Sequence, residues 1–152
     1  MPEPTFMVSL AFHAPPSPVP LPLHVVVADD SALVRRHLVE QLGRLDHVEV
    51  VGEAADTPSA VRAAEAHHPE VVVLDIQMPG ENGIVALQRI KRLLPATRVI
   101  MLTNHADPFY RRKCLSAGAS HFFDKSTEFH EVVEVVRRLA RASGAAGGGV
   151  RA

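Results

Sequence analysis

A chain of 152 residues, 47% hydrophobic and 22% charged, is long enough for one compact core and too short for two ordinary domains. Its 16 Lys and Arg stand against 17 Asp and Glu, so there is no basic excess of the sort that grips a phosphate backbone, and direct nucleic-acid binding is not expected. The lone Cys114 excludes an internal disulfide and a thiolate metal cluster; a small buried hydrophobe is its expected role.

Residues 1–22 differ from the rest. Seven of the twelve prolines lie between Pro2 and Pro22, and the run from Pro15 to Pro22 favours extended polyproline, so this stretch reads as a disordered leader. The apolar patch Phe6 to Phe12 is too short for a secretory core, contains Ser9 and is preceded by Glu3 without Lys or Arg. No membrane association is expected, and the reducing compartment that a lone cysteine suits is the cytoplasm.

From Leu23 the pattern alternates regularly. Leu23 to Ala28 reads as a buried strand ending at Asp29-Asp30. Ser31 is placed to cap a helix with Leu33, Val34, Leu38 and Leu42 at helical spacing, stopping at Gly43. A strand over His47 to Glu53 follows, then Thr57 as a cap with Pro58 at the first helical position, opening a helix that carries Ala60, Val61, Ala64 and His67. Val71-Val72-Val73-Leu74 is an unbroken apolar run, suited to a strand covered on both faces, and it ends abruptly in Asp75. Ile84, Leu87, Ile90, Leu93 and Leu94 mark the next helix. Arg98 to Leu102 forms a strand delivering Thr103, and Asp107-Pro108 caps a helix running through Cys114 and Leu115 to Gly118. Ser120 to Asp124 is a fifth strand, delivering Lys125, and the last helix starts near Thr127 with Phe129, Val132, Val133 and Val136 on one face. Its acids Glu128, Glu131 and Glu134 come first and its bases Arg137, Arg138 and Arg141 last, as the macrodipole prefers. Residues 143–152 read as a flexible Gly-rich tail.

Five strand-helix units in strict alternation predict a doubly wound (βα)5 sandwich of flavodoxin-like type, with a parallel sheet and helices on both faces. The strand order 2-1-3-4-5 is taken from the precedent of such folds; it puts the switch point between the first and third strands and gathers Asp29, Asp30 and Asp75 at one crevice. Three clustered carboxylates are most easily tolerated around a hard divalent cation, and magnesium, which keeps water and phosphate oxygens as ligands, fits. A carboxylate can attack a phosphoryl group if metal, ammonium and hydroxyl donors share the charge on its oxygens. Asp75, Lys125 and Thr103, each at a strand's C-terminal end, supply those parts. The nine histidines show no metal-ligand spacing, and His67 and His68 suit a helix C-terminus, so zinc is not expected.

These residues carry a resemblance. The chain over 23–142 resembles the receiver domain of two-component response regulators, with Asp29-Asp30, the run Asp75-Ile76-Gln77-Met78-Pro79 with Gly83, Thr103 and Lys125 all in place. The resemblance implies that Asp75 accepts phosphate from a histidine kinase or histidine phosphotransfer protein. It also implies that Asp30, Asp75 and the Gln77 backbone carbonyl bind Mg2+ directly, with Asp29 helping through water. Thr103 would bond the phosphoryl group, Lys125 would pair with it, and Phe122 matches the aromatic position that turns inward in the active state. Such a protein is a phosphoacceptor that assists its own phosphotransfer and dephosphorylation rather than an enzyme acting on other molecules.

Ser126 follows Lys125 where receivers often have proline, and Gln77, Asn104 and His105 flank the phosphate position, where they are expected to tune acyl-phosphate lifetime. No output domain follows the fifth helix in this sequence, so a stand-alone receiver is expected. It would be read by an unidentified output protein through the fourth helix, fifth strand and fifth helix, a face that also allows a homodimer. Two other classes compete: a phosphorylation-independent receiver-like scaffold, and an Asp-nucleophile phosphatase of the dehalogenase-like kind. The complete residue set argues against the first, and the missing Asp-x-Asp motif and cap against the second.

Overall fold

The computed structural model describes residues 21–145; the leader expected over 1–22 falls almost wholly outside them, as does the tail beyond Ala145. Ten elements alternate: β1 (Leu23–Ala28), α1 (Ala32–Gly43), β2 (Val48–Ala54), α2 (Thr57–His67), β3 (Val71–Leu74), α3 (Gly83–Leu93), β4 (Arg98–Thr103), α4 (Pro108–Ser116), β5 (His121–Asp124) and α5 (Phe129–Ala145). The five strands form one sheet in the order β2-β1-β3-β4-β5, all neighbours parallel. That is the predicted doubly wound order, and it places β1 and β3 side by side.

Strand alternation sorts the apolar residues into two layers. Val26, Val72, Leu74, Val99, Met101 and Phe122 face α2, α3 and α4. Val25, Val27, Val71, Val73, Ile100 and Leu102 face α1 and α5. Every residue of β3 is buried, which is why its sequence carries no polar alternation.

Caps fix where the helices begin, and here the structure corrects one expectation. Ser31 Oγ accepts from the Val34 N–H at 3.2 Å and Asp107 Oδ1 from the Tyr110 N–H at 3.0 Å, as predicted. For α2, however, the cap is Asp56, whose carboxylate accepts from the Ser59 N–H at 2.8 Å. Thr57 lies inside the first turn and is buried, its hydroxyl donating instead to the Glu81 carbonyl. A carboxylate next to the helix's positive end outcompetes a hydroxyl one residue later.

Other elements shift. β2 begins at Val48, because His47 takes a left-handed φ of 62° that breaks the extended run. α5 begins at Phe129, after a turn in which Glu128 Oε1 accepts from the Asp124 N–H at 3.0 Å. It runs to Ala145, three residues past the expected boundary, so Arg137, Arg138 and Arg141 lie before its last turn rather than in it. Leu33 is 72% exposed and Leu93 49%; Leu33 lies five and nine residues before the buried Leu38 and Leu42, on the far side of its helix, and Leu93 at the edge of its helix's buried stripe. His67 is likewise exposed, at the end of α2.

Candidate functional site

All the candidate side chains come from the C-terminal ends of β1, β3, β4 and β5. Asp29 and Asp30 follow β1, Asp75 follows β3, Thr103 closes β4, and Lys125 follows β5. The adjacency of β1 and β3 joins the first three: carboxylate oxygens of Asp29, Asp30 and Asp75 lie within 4.8 Å of one another, the one such group of three metal-ligating side chains among the described residues. Asp29 and Asp75 are buried and Asp30 is exposed.

Lys125 binds the two buried acids together. Its Nζ lies 2.6 Å from Asp29 Oδ2 and 2.9 Å from Asp75 Oδ2. The other oxygen of each acid is met by backbone. Asp75 Oδ1 accepts from the Ile76 N–H at 2.7 Å, and Asp29 Oδ1 from the Ser31 N–H at 2.9 Å. Burial pushes the Asp29 carboxyl above its ordinary value of 3.8, and neither the Lys125 ammonium nor the Ser31 N–H fully offsets it. Burial also pulls the Lys125 ammonium down, but hydrogen bonds and attraction from two carboxylates outweigh it, so Lys125 ends above its ordinary 10.5.

Thr103 is fully buried, and its Oγ1 accepts from the His105 N–H at 3.0 Å. His105 Nε2 in turn meets Gln77 Oε1, closing a bridge between the loops after β3 and β4. Phe122 is buried in the core layer of α2 to α4, with the Arg111 guanidinium 5.7 Å from its ring centroid and donating to its carbonyl at 3.2 Å. Gly83 lets the loop after β3 fold onto α3: its N–H donates to the Ile76 carbonyl at 2.6 Å, and a Cβ there would lie 1.9 Å from the Asp75 carbonyl oxygen.

Sequence reasoning missed Arg35. From the first turn of α1 its Nη1 donates to the Asp29 carbonyl at 2.7 Å, and its Nε pairs with Glu53 at 3.3 Å. It ties the end of β1 to that of β2 beneath the acids. Nothing in the sequence marks it, because one target is a backbone atom and the other, Glu53, lies on a different strand. Cys114 is buried, and burial pushes its thiol up to about 11, as a packing residue requires.

The strand order, with acids gathered at the switch point, defines a doubly wound flavodoxin-like α/β domain. The chain belongs to the response regulator receiver domain family, whose model matches residues 25–137. It is 34% identical over 125 residues to the "Probable transcriptional regulatory protein NarL" of Mycobacterium tuberculosis, covering 82% of this chain and 58% of that protein. It is 33% identical over 120 residues to the oxygen regulatory protein NreC of Staphylococcus carnosus, covering 78% of this chain and 55% of the relative. The chain thus spans a little over half the length of these curated relatives. Among solved structures, the signal receiver domain of NarL from M. tuberculosis superposes with a TM-score of 0.73 at 34% identity, covering 80% of this chain and 98% of that domain.

Proposed function

We propose that the protein is a phosphorylation-dependent switch in which Asp75 accepts a phosphoryl group from a histidine kinase or histidine phosphotransfer protein. The observation that carries this reading is the single ammonium of Lys125 lying 2.6 and 2.9 Å from two buried carboxylates of different strands. The Asp75 carboxylate would attack phosphorus as the bond to the donor nitrogen breaks, leaving the electron pair and a proton with the donor imidazole. Lys125 would move onto the new phosphoryl oxygens, and Thr103 would turn its hydroxyl from the His105 N–H to donate to them.

The donor set also fits Mg2+: three carboxylates with oxygens within 4.8 Å, one of them exposed, match a hard cation that prefers oxygen ligands and keeps several waters. Asp29, Asp30, Asp75 and the Gln77 backbone carbonyl would hold it, and it would supply charge neutralisation for the phosphoryl oxygens. Gln77, Asn104 and His105 flank the acceptor and would set how readily water reaches the acyl phosphate, the step by which the protein assists its own dephosphorylation. The output reading is that Thr103, turned towards the phosphoryl group, would hold Phe122 in the inward, buried position it already occupies, and that a partner protein reads the resulting face of α4, β5 and α5. The same face would serve a homodimer.

The test is intact-protein mass after incubation with acetyl phosphate and Mg2+, for wild type and Asp75→Ala. One phosphoryl adduct, labile at alkaline pH and lost in the variant, is expected. An adduct that persists in Asp75→Ala, or none in wild type, would overturn the assignment.

A further inference from the structure

The face of α4 turned towards α3 is not used by the reading above. A shallow groove there is lined by Gln88 of α3 and by Phe109, Arg112, Lys113, Ser116 and Ala117 of α4 and its C-terminal cap. Phe109 is 56% exposed, the most exposed aromatic side chain among the large hydrophobic residues described. Lys113 Nζ lies 5.5 Å from its ring centroid. No acid lines the groove, and among the described residues neither Arg112 nor Lys113 has a carboxylate within ion-pair distance. An exposed aromatic ring flanked by two unpaired cations suits an apolar anchor set among carboxylates. Two cations on a chain of net charge −1 are too few for a nucleic-acid backbone, which is gripped through many phosphate contacts.

The groove is also in contact with the site. Phe109 packs edge-on against Tyr110, ring centroids 5.3 Å apart, and Tyr110 packs edge-on against His105 at 6.1 Å. His105 is the residue whose N–H is held by Thr103 and whose ring meets Gln77. Whatever turns the Thr103 hydroxyl away frees the His105 N–H and, through two ring contacts, alters the seat of Phe109.

We propose that the groove between α3 and α4 is a docking surface for an acidic segment of a partner protein carrying an apolar anchor, and that its affinity follows the state of Asp75 through Thr103, His105 and Tyr110. The coupled half rests on the switch reading; the docking half stands on the groove alone. This surface lies on the opposite side of α4 from Arg111 and Phe122, so the two faces can be separated by substitution.

The probe is a fluorescein-labelled synthetic peptide of alternating glutamate pairs and single leucines, titrated by anisotropy against the full chain, with a single-stranded oligonucleotide of equal charge as control. Arg112→Glu with Lys113→Glu is expected to weaken the peptide roughly tenfold or more, since each reversal turns an attraction into a repulsion. Phe109→Ala is expected to weaken it about fivefold through loss of the anchor's seat. Arg111→Glu, on the other side of the helix, should change it less than about twofold. Circular dichroism of each exposed-site variant checks that the fold is kept. Equal peptide binding by the charge-reversed variant, or tighter binding of the oligonucleotide than of the peptide, would overturn the docking surface. Beryllofluoride with Mg2+, standing in for the phosphoryl group, should shift peptide affinity at least threefold in wild type and not in His105→Ala. An unchanged affinity when intact mass shows that Asp75 does take phosphate would overturn the coupling alone. Failure of the phosphoryl adduct itself would remove the switch and the coupling together, with the peptide titration still deciding the groove.

Discussion

Gly83→Ala tests whether the loop carrying Asp75 is built on a close backbone approach. The added Cβ would stand 1.9 Å from the Asp75 carbonyl oxygen and 2.8 Å from Ile76 Cα, where real Cβ contacts stay beyond 3.0 Å. Backbone must therefore move by at least 1.1 Å, the difference between 3.0 and 1.9 Å. Overpacking that side chains cannot relieve lies at the upper end of its usual range, about 3 kcal/mol. Stretching the 2.6 Å hydrogen bond from the Gly83 N–H to the Ile76 carbonyl adds about 1 kcal/mol. Alanine's better helix propensity returns roughly 1 kcal/mol, so the net loss is about 3 kcal/mol, or on the order of 10 °C in Tm for a domain of this size. Gly43→Ala is the internal control: nothing lies within 4 Å of its Cβ position, and it should leave Tm unchanged or raise it slightly. Thermal unfolding by circular dichroism reads both, and the rate of phosphoryl adduct formation in Gly83→Ala should fall with the displacement of Asp75. A Gly83→Ala protein melting within about 2 °C of wild type would refute the close-approach argument.

His121 carries a buried Nδ1 without a hydrogen-bond partner, and burial, then Arg138 and Arg98, holds its pKa below 6.5. Below 6.5 the unfolded chain takes up the proton first, so wild-type stability should fall on acidification through that value. His121→Phe should flatten that slope and raise Tm at pH 7 by the equivalent of about 1 kcal/mol; an unchanged slope would sink the assignment. Cys114, buried and with its thiol pushed up to about 11, should resist iodoacetamide in the native protein and react on unfolding, and rapid labelling of the folded chain would contradict it. Gln77→Ala, Asn104→Ala and His105→Ala should change the decay of the Asp75 adduct severalfold, followed by mass against time, and identical decay in all three would dismiss their role in admitting water.

The sequence was most legible where one physical cause acted alone. The run Val71 to Leu74 suited a strand buried on both faces, and the structure buries all four. Asp29, Asp30, Asp75 and Thr103 could be placed at strand ends because each closes a clear apolar run, while Lys125 was placed by the regular strand-helix alternation. Legibility failed where two causes competed within a residue or two. Thr57 and Asp56 are both capping residues, and only the three-dimensional end of the helix selects the carboxylate. Leu33 stays exposed because, five and nine residues before Leu38 and Leu42, it faces away from them, and Leu93 because it falls at the edge of its helix's buried stripe. Arg35 was invisible because it bonds the Asp29 carbonyl, a backbone target that leaves no mark in a sequence, and a carboxylate, Glu53, brought near only by the pairing of β1 with β2.

The charge balance at the strand ends is what would let these residues work as the proposed switch rather than as a static salt bridge. Three carboxylates gather where one ammonium contacts two of them, Asp29 and Asp75, and Arg35 nearby is committed to the Asp29 carbonyl and to Glu53. Burial penalises the excess enough to raise the Asp29 carboxyl despite its 2.6 Å contact with Lys125. The site is therefore short of positive charge before any phosphoryl group arrives, which is the condition under which an oxygen-seeking divalent ion binds at low cost. A phosphoryl group on Asp75 would deepen the shortage and draw the Lys125 ammonium, whose three N–H groups now serve two carboxylates, towards the new oxygens. Its ammonium sits on the loop after β5, two residues past Phe123 and three past Phe122, and the Lys125 N–H is bonded to the Thr103 carbonyl at 2.8 Å. Redirecting that one cation would therefore act at the ends of β4 and β5 together, so the proposed switch would follow from one ammonium divided between Asp29 and the phosphoryl group.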